Sequence, residues 1–264
     1  MVRIMIALAL YDGAAHLAQQ LASIAAQDHE DWRLVISDDS SRDAGPAIAR
    51  DFAASRPAGQ VIIVDGPRKG STANFLTMAQ AVQPGEYLAF CDQDDHWQPG
   101  KLSRALDQLG AAPGIAIYGA RTTICDGELR PLATSPRFRG PFDFPNALIQ
   151  CAIGGNTAVL SPEAAQLLRK AAPAAISAGV EAHDWFSYLL VTGAGGRVIR
   201  DDAEVLLYRQ HRGNLKGRND TLAAKIARVR GLFGRDFASW LAANNEALSA
   251  AREMLTPENR RILR

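Results

Sequence analysis

Cysteine is scarce in this chain. Cys91, Cys125 and Cys151 are the only three in 264 residues, with no C-x-x-C pair and no histidine at zinc spacing. An odd number so arranged excludes a disulfide framework and a zinc ribbon, and the thiols are expected to be reduced, as in a cytosolic compartment. Long apolar runs are also missing. The N-terminal run from Val2 to Leu10 stops at Tyr11-Asp12-Gly13, well short of the roughly 20 residues of a membrane span and without a signal-peptide pattern. The expected location is cytoplasmic, with peripheral attachment to the inner membrane face left open. Charge of one sign is missing too: 29 Lys and Arg against 28 Asp and Glu leave a formal net charge of +1, which gives no footing for nucleic-acid binding. No internal repeat and no low-complexity tract occurs.

What is present is alternation. Val2 to Ala9 reads as a strand covered on both faces, followed by a helix with Leu17, Leu21 and Ile24 at helical spacing. Leu34-Val35-Ile36 is a second strand, and Ser40 and Ser41 are expected to cap the helix through Ile48 and Phe52. Val61 to Val64, a helix carrying Phe75, Met78, Ala79 and Val82, Tyr87 to Phe90, and a helix from Pro99 to Leu109 continue the rhythm. This order predicts an α/β protein with a doubly wound, mostly parallel sheet. Further on, Ile115 to Tyr118 reads as a strand, Asp126-Gly127 as a hairpin turn, and Ala133 to Asn146 as a loop over the rim. Ser161 followed by Pro162 opens a helix, His183 to Gly193 forms another, and Val205 to Tyr208 is a last strand.

In such sheets ligands collect at the carboxyl ends of the strands. Tyr11-Asp12, Asp38-Asp39, Arg68-Lys69 and the stretch "FCDQDDHW" all fall there. The last crowds Asp92, Asp94 and Asp95 into four positions, a cost in mutual repulsion unless a cation sits among them. Asp92-Gln93-Asp94 is a D-x-D whose hard oxygens suit Mg²⁺ or Mn²⁺ and leave room for phosphate oxygens; a solvated turn is the other reading. Asp38-Asp39 either caps a helix or accepts hydrogen bonds from a nucleobase or ribose. Asp184, at a helix start, is favourable for local reasons or serves as a general base. His211, between Arg209 and Arg212 and ahead of Asn214 and Lys216, belongs to a basic surface loop or to a metal and diphosphate site.

Taken in order, "ALALYDGAAHLAQQLASIAAQ", "WRLVISDDSSRD", "ANFLTMAQA", "YLAFCDQDDHWQPGKL", "GGNTAVLS", "HDWF" and "YRQHRGNLKG" resemble the family 2 inverting glycosyltransferases with a GT-A fold. Within that family the likeness is to rhamnosyltransferases and O-antigen or cell-wall polysaccharide glycosyltransferases. It covers residues 1 to about 217, with residues 218–264 as a basic helical extension of this domain. The family's first strand usually ends in Thr-Tyr-Asn-Gly, where this chain has Leu10-Tyr11-Asp12-Gly13.

The resemblance implies a nucleotide diphosphate sugar donor, dTDP-L-rhamnose first among them, and a saccharide or lipid-linked saccharide acceptor. It implies that Asp39 binds the base with Tyr11 lining the same pocket, and that Asp92 serves the ribose or the metal. Asp94 would be the main ligand of a Mn²⁺ or Mg²⁺ ion, His211 would touch the metal or diphosphate, and Asp184 would be the general base. A sugar-nucleotide-binding module without turnover is the rival from another class, supported by Leu10 and Asp12. A metal-dependent phosphatase is a weaker one.

The tail is basic. From Thr221 to Arg264 eight Lys or Arg stand against four acids, interleaved with Ile226, Val229, Leu232, Phe233 and Trp240. Two expectations follow: the helix lies on an anionic membrane surface, or its apolar stripe packs on the catalytic domain or a second subunit.

Overall fold

The computed structural model describes residues 2–111, 113–210 and 235–263. Four strands alternate with helices in the first half: β1 (Ile4–Leu10), α1 (Ala14–Ala25), β2 (Trp32–Asp38), α2 (Gly45–Ala54), β3 (Val61–Asp65), α3 (Ser71–Ala79) and β4 (Tyr87–Cys91). Next come β5 (His96–Trp97), α4 (Lys101–Gly110), β6 (Ala116–Cys125), β7 (Pro131–Thr134), α5 (Phe144–Ala147), β8 (Val159–Leu160), α6 (Pro162–Ala178), α7 (His183–Gly193) and β9 (Arg197–Arg209). Two helices close the chain, α8 (Arg235–Ala250) and α9 (Pro257–Ile262).

The described strands all join one sheet in the order β3-β2-β1-β4-β8-β6-β9-β5, with β7 added beside β6. β1 to β4 are parallel. β8 runs antiparallel between β4 and β6, while β6 and β9 pair in parallel. The sheet is covered on both faces, and alternate residues of β1 show why its sequence is continuously apolar. Ile4, Ile6, Leu8 and Leu10 pack with α1 and α4, whereas Met5 and Ala7 join the core formed by α3, α6 and α7.

Several local expectations change. Ser40 and Ser41 do not cap α2, which starts after Ala44 without a side-chain cap. Ser40 has φ 75°, so the chain is still turning there, and Asp43 takes over: its carboxylate accepts from Gly45 N (2.8 Å) and from Ala14 N (2.7 Å) at the start of α1. The region expected as loop holds the end of β7 and the short α5, capped by Asp143. β9 is far longer than Val205 to Tyr208, because it pairs with β6 along its length, from Ala116 opposite Arg197 to Cys125 opposite Arg209. The hairpin turn at Asp126-Gly127 and the Ser161 cap, which accepts from Ala164 N, are as expected.

The part of the tail that is described packs on the domain. Ala247 and Leu248 of α8 are fully buried in the same core as Leu168 and Trp185, with Phe237, Trp240 and Leu241 packed against it. Ile226, Val229, Leu232 and Phe233 lie outside the described residues. No helix among the described residues is long and apolar enough to cross a membrane. None of the three cysteines is in a disulfide.

Candidate active site

The carboxyl ends of β1, β2 and β4 are laced together by side chains. Asp39 N–H donates to Leu10 O (2.8 Å). The Asp39 carboxylate is nearly buried and accepts from Arg68 N (2.5 Å) and Gly70 N (3.0 Å), so it fixes the loop after β3, where Arg68 has φ 58°. Tyr11, whose residue is 55% exposed, stands at the open rim. Its backbone is gripped on both sides by Gln93: Tyr11 N donates to Gln93 Oε1 and Gln93 Nε2 donates to Tyr11 O, each at 2.9 Å. Glycine is required at position 13 for that grip, since a Cβ there would lie 2.3 Å from Gln93 Oε1.

The acidic strand end divides by burial. Asp92 and Asp94 are partly exposed, whereas Asp95 is fully buried. Asp95 Oδ2 accepts from Asn156 Nδ2 (2.7 Å), while Oδ1 has no partner among the described residues. Burial, and then the charges of Asp92 and Asp94, push the Asp95 carboxyl well above the usual carboxylate range. Behind it lies Lys101, also fully buried, with Nζ 3.6 Å from the centroid of the Trp97 ring. Burial lowers the Lys101 pKa to about 8, against the opposing pull of Cys91, Asp95 and Asp92.

Asp184 is reached through one turn of 3-10 helix, Gly155–Thr157. Its Oδ2 accepts from Gly155 N (2.9 Å), and Asn156, the next residue, holds Asp95. Asp184 Oδ1 accepts from Trp185 N (2.7 Å) in the first turn of α7. A Cβ on Gly155 would lie 2.7 Å from His183 Nε2. His183 itself stacks on Phe75 with centroids 4.1 Å apart and meets Phe90 edge-on at 4.6 Å, a packing role.

These contacts draw Tyr11, Asp39, Asp92, Asp94 and Asp184 to one rim. His211 lies outside the described residues. A family model described as Glycosyl transferase family 2 matches residues 5–173. The chain belongs to glycosyl transferase family 2.

Among curated relatives, dTDP-rhamnosyl transferase RfbG of Shigella flexneri is 28% identical over 228 residues, 84% of this chain and 78% of that protein. An uncharacterized protein of Mycobacterium tuberculosis is 34% identical over 122 residues, 46% of this chain, which spans only 33% of that relative's length. Among solved structures, the mannosyltransferase PcManGT from Pyrobaculum calidifontis in complex with GDP-Man and Mn²⁺ superposes with a TM-score of 0.59 at 19% identity, covering 99% of this chain and 78% of that one. S. aureus TarS 1-349 in complex with UDP gives 0.58 at 11% identity, covering 99% and 86%. The likeness to these structures is one of fold, the GT-A fold expected from the sequence. The family 2 chain described here is a glycosyltransferase.

The two departures from the family's first-strand ending have local reasons. Leu10 is fully buried in the core. Asp12 has φ 45°, a region where Asn and Asp are the tolerated non-glycine residues; its N–H donates to Ser41 Oγ (3.0 Å) and its Oδ1 accepts from Arg42 N (2.7 Å). Both residues hold the rim together.

Whether the family 2 site suits a divalent ion is decided by its donors. Asp92 and Asp94, both partly exposed, offer hard carboxylate oxygens of the kind that Mg²⁺ or Mn²⁺ takes. No group of three metal-ligating side chains is assembled among the described residues; an ion held by two carboxylates would take its further oxygens from phosphate and water.

Sequence reading gave no role to Gln93, Asn156 or Lys101, and it left Arg209 either in a basic surface loop or at a metal and diphosphate site. Arg209 is instead buried, donating from Nε to Asp94 O (2.9 Å), from Nη2 to Gln19 Oε1 (2.5 Å) and from Nη1 to Gly127 O. The signal for Gln93, Asn156 and Arg209 lay in the quoted stretches "DQDD", "GGN" and "YRQH", but each of the three acts on a segment remote in sequence.

Proposed function

We propose that this glycosyltransferase is inverting and depends on a divalent metal. It passes L-rhamnose from dTDP-rhamnose to a saccharide hydroxyl during synthesis of a cell-surface polysaccharide such as an O-antigen. The observation that supports this reading is the connection from Asp95 through Asn156 and Gly155 to Asp184, which links that carboxylate to the D-x-D loop. The choice of sugar and nucleotide rests on RfbG, whose name specifies dTDP-rhamnosyl transfer. The neighbouring solved structures hold GDP-Man with Mn²⁺ or UDP.

In this reading Tyr11 and Asp39 border the nucleobase. Each Asp39 oxygen spends one lone pair on the loop amides and keeps another for a base N–H. Asp94 would hold Mn²⁺ or Mg²⁺ with help from Asp92, and His211 would join the metal or diphosphate. When bound, the ion supplies positive charge to the departing diphosphate. Asp184 takes the proton of the acceptor hydroxyl as its oxygen bonds to the anomeric carbon. The bond from that carbon to the phosphate oxygen breaks on the opposite side, and the nucleoside diphosphate leaves with the electron pair.

Thermal-shift measurements with a panel of nucleotide sugars in Mn²⁺ test this. A donor at a hundred times its dissociation constant stabilises by about 2.7 kcal/mol, and dTDP-rhamnose is expected to lead the panel. Stabilisation by another nucleotide sugar alone would replace the donor. Binding of dTDP-rhamnose without transfer or hydrolysis would favour the non-catalytic sugar-nucleotide module.

A further inference from the structure

Arg121 on β6 and Arg200 on β9 occupy neighbouring parallel strands, where Gly119 is opposite Arg200 and Arg121 is opposite Glu204. Both guanidiniums are anchored on neutral oxygens. Arg121 Nε donates to Ser135 O (2.9 Å), and Arg200 Nη1 donates to Ala120 O. Arg200 Nε is buried with no acceptor among the described residues. The nearby carboxylates are engaged elsewhere: Asp202 lies 3.4 Å from Arg137, and Glu204 accepts from Thr123 Oγ1 at 2.5 Å. Among the described residues no carboxylate forms an ion pair with Arg121 or Arg200. Burial lowers the Arg200 pKa from its ordinary value; Cys151, Tyr118 and Asp202 oppose this, and the like charge of Arg121 adds to it. Two cations held this way on dipoles are costly unless an anion joins them.

Their position gives the pair a use. Ala89 of β4, Val159 of β8 and Tyr118 of β6 lie level across the sheet. β4 and β6 both run against β8, so Asp92 and Arg121, each three residues past that level, reach the same rim. The space beside Gly119 is filled by Ile153: a Cβ there would lie 2.7 Å from Ile153 Cδ1 and 3.5 Å from Arg200 Nη1. Two residues after Ile153, Gly155 N donates to Asp184. The segment from Ile153 to Gly155 thus runs from the surroundings of Gly119 and Arg200 to the carboxylate assigned to the acceptor hydroxyl. Phe138, 41% exposed, has its ring centroid 5.4 Å from Arg200 Cζ and adds an apolar wall.

We propose that Arg121 and Arg200 form an anion subsite on the acceptor side, which takes a phosphate or diphosphate ester carried by the acceptor. Two separate guanidinium forks suit an anion with an oxygen directed at each arm, and a phosphate offers more oxygens, in more directions, than a carboxylate. The assignment to the acceptor rests on the reading of Asp184 as general base; the arginine pair as an anion site does not.

Titration calorimetry of the full chain, in EDTA and with excess dTDP to fill the donor pocket, tests the subsite with inorganic pyrophosphate, farnesyl diphosphate and glucuronate. Both diphosphates are expected to bind the wild type and to lose at least about tenfold in affinity in the Arg121→Gln, Arg200→Gln double variant. Tighter binding of farnesyl diphosphate than of pyrophosphate assigns the ester to a lipid carrier; equal affinities assign it to a water-soluble ester. Failure of the wild type to bind either diphosphate, unchanged affinity in the double variant, or glucuronate held as tightly as pyrophosphate overturns the subsite. If the double variant no longer melts cooperatively, Arg121→Gln alone carries the same comparison. Stabilisation by nucleotide sugars is scored separately. Diphosphate loss in the variant with no sugar nucleotide bound by the wild type would remove the proposed function and keep the subsite, and the reverse result would remove only the subsite.

Discussion

Arg209 Nε donates to the backbone carbonyl of Asp94 at 2.9 Å, across 115 positions of sequence. The same guanidinium reaches Gln19 on α1 and Gly127 in the β6–β7 turn. A buried charge is thus spent on fixing the main chain of the D-x-D loop, at the end of the strand that leads to His211. Replacing Arg209 by Met should raise the Mn²⁺ concentration for half-maximal turnover by about tenfold and cost roughly 2 kcal/mol of stability, because three acceptors lose a charged donor. Urea unfolding and a Mn²⁺ titration measure both. A stability loss with the Mn²⁺ dependence unchanged would limit Arg209 to scaffolding.

Asp94 is partly exposed at the rim, outside the core. Asp94→Ala should abolish metal-dependent turnover while leaving the melting temperature within a few degrees of wild type. Full activity at saturating Mn²⁺ would remove Asp94 from the metal site.

Asp39 does two jobs in the proposed site, and a substitution separates them. Asp39→Ala should weaken dTDP binding by about tenfold, the worth of a hydrogen bond to a charged group, and loosen the loop carrying Arg68 and Gly70. If calorimetry finds the affinity unchanged while amide exchange at residues 68–70 rises, Asp39 is a loop anchor alone.

For Asp184→Asn the expected fall in kcat is at least about a hundredfold, the usual contribution of a positioned general base. Donor affinity should scarcely move, because the amide keeps an oxygen for the Gly155 N–H. A variant that binds dTDP poorly and keeps its rate would place Asp184 in structure instead of catalysis.

Lys101 predicts a pH effect on stability. Its folded-state pKa of about 8 lies below the ordinary 10.5, so the unfolded chain binds the proton more tightly. Between those values unfolding takes up a proton, and the contribution of this lysine to stability rises with pH. Relative to Lys101→Met, the wild type should therefore gain stability from pH 8 to 10.5, by roughly 3 kcal/mol at most. Chemical denaturation of both proteins at several pH values measures the difference. A flat or falling difference would mean that the ammonium is stabilised where it lies, over the Trp97 ring and near Asp95.

Strand and helix order, the doubly covered sheet and the gathering of polar clusters at one rim were legible in the sequence, because they rest on local periodicity. Continuous apolar runs bury both faces of a strand, and a run that ends in Asp leaves its charge at the strand's end. What could not be read there was which of three neighbouring aspartates is buried, since Asp92, Asp94 and Asp95 differ only in what packs over them. Nor could periodicity foresee that β8 would run antiparallel between β4 and β6 and bring Gly155 and Asn156 between Asp184 and Asp95. The Gln93 grip on Tyr11 spans 82 positions and the Asn156 bond to Asp95 spans 61. Pairings at such separations depend on how whole elements dock, and only the tertiary structure decided them, because a buried polar atom takes whichever partner the packing brings within about 3 Å.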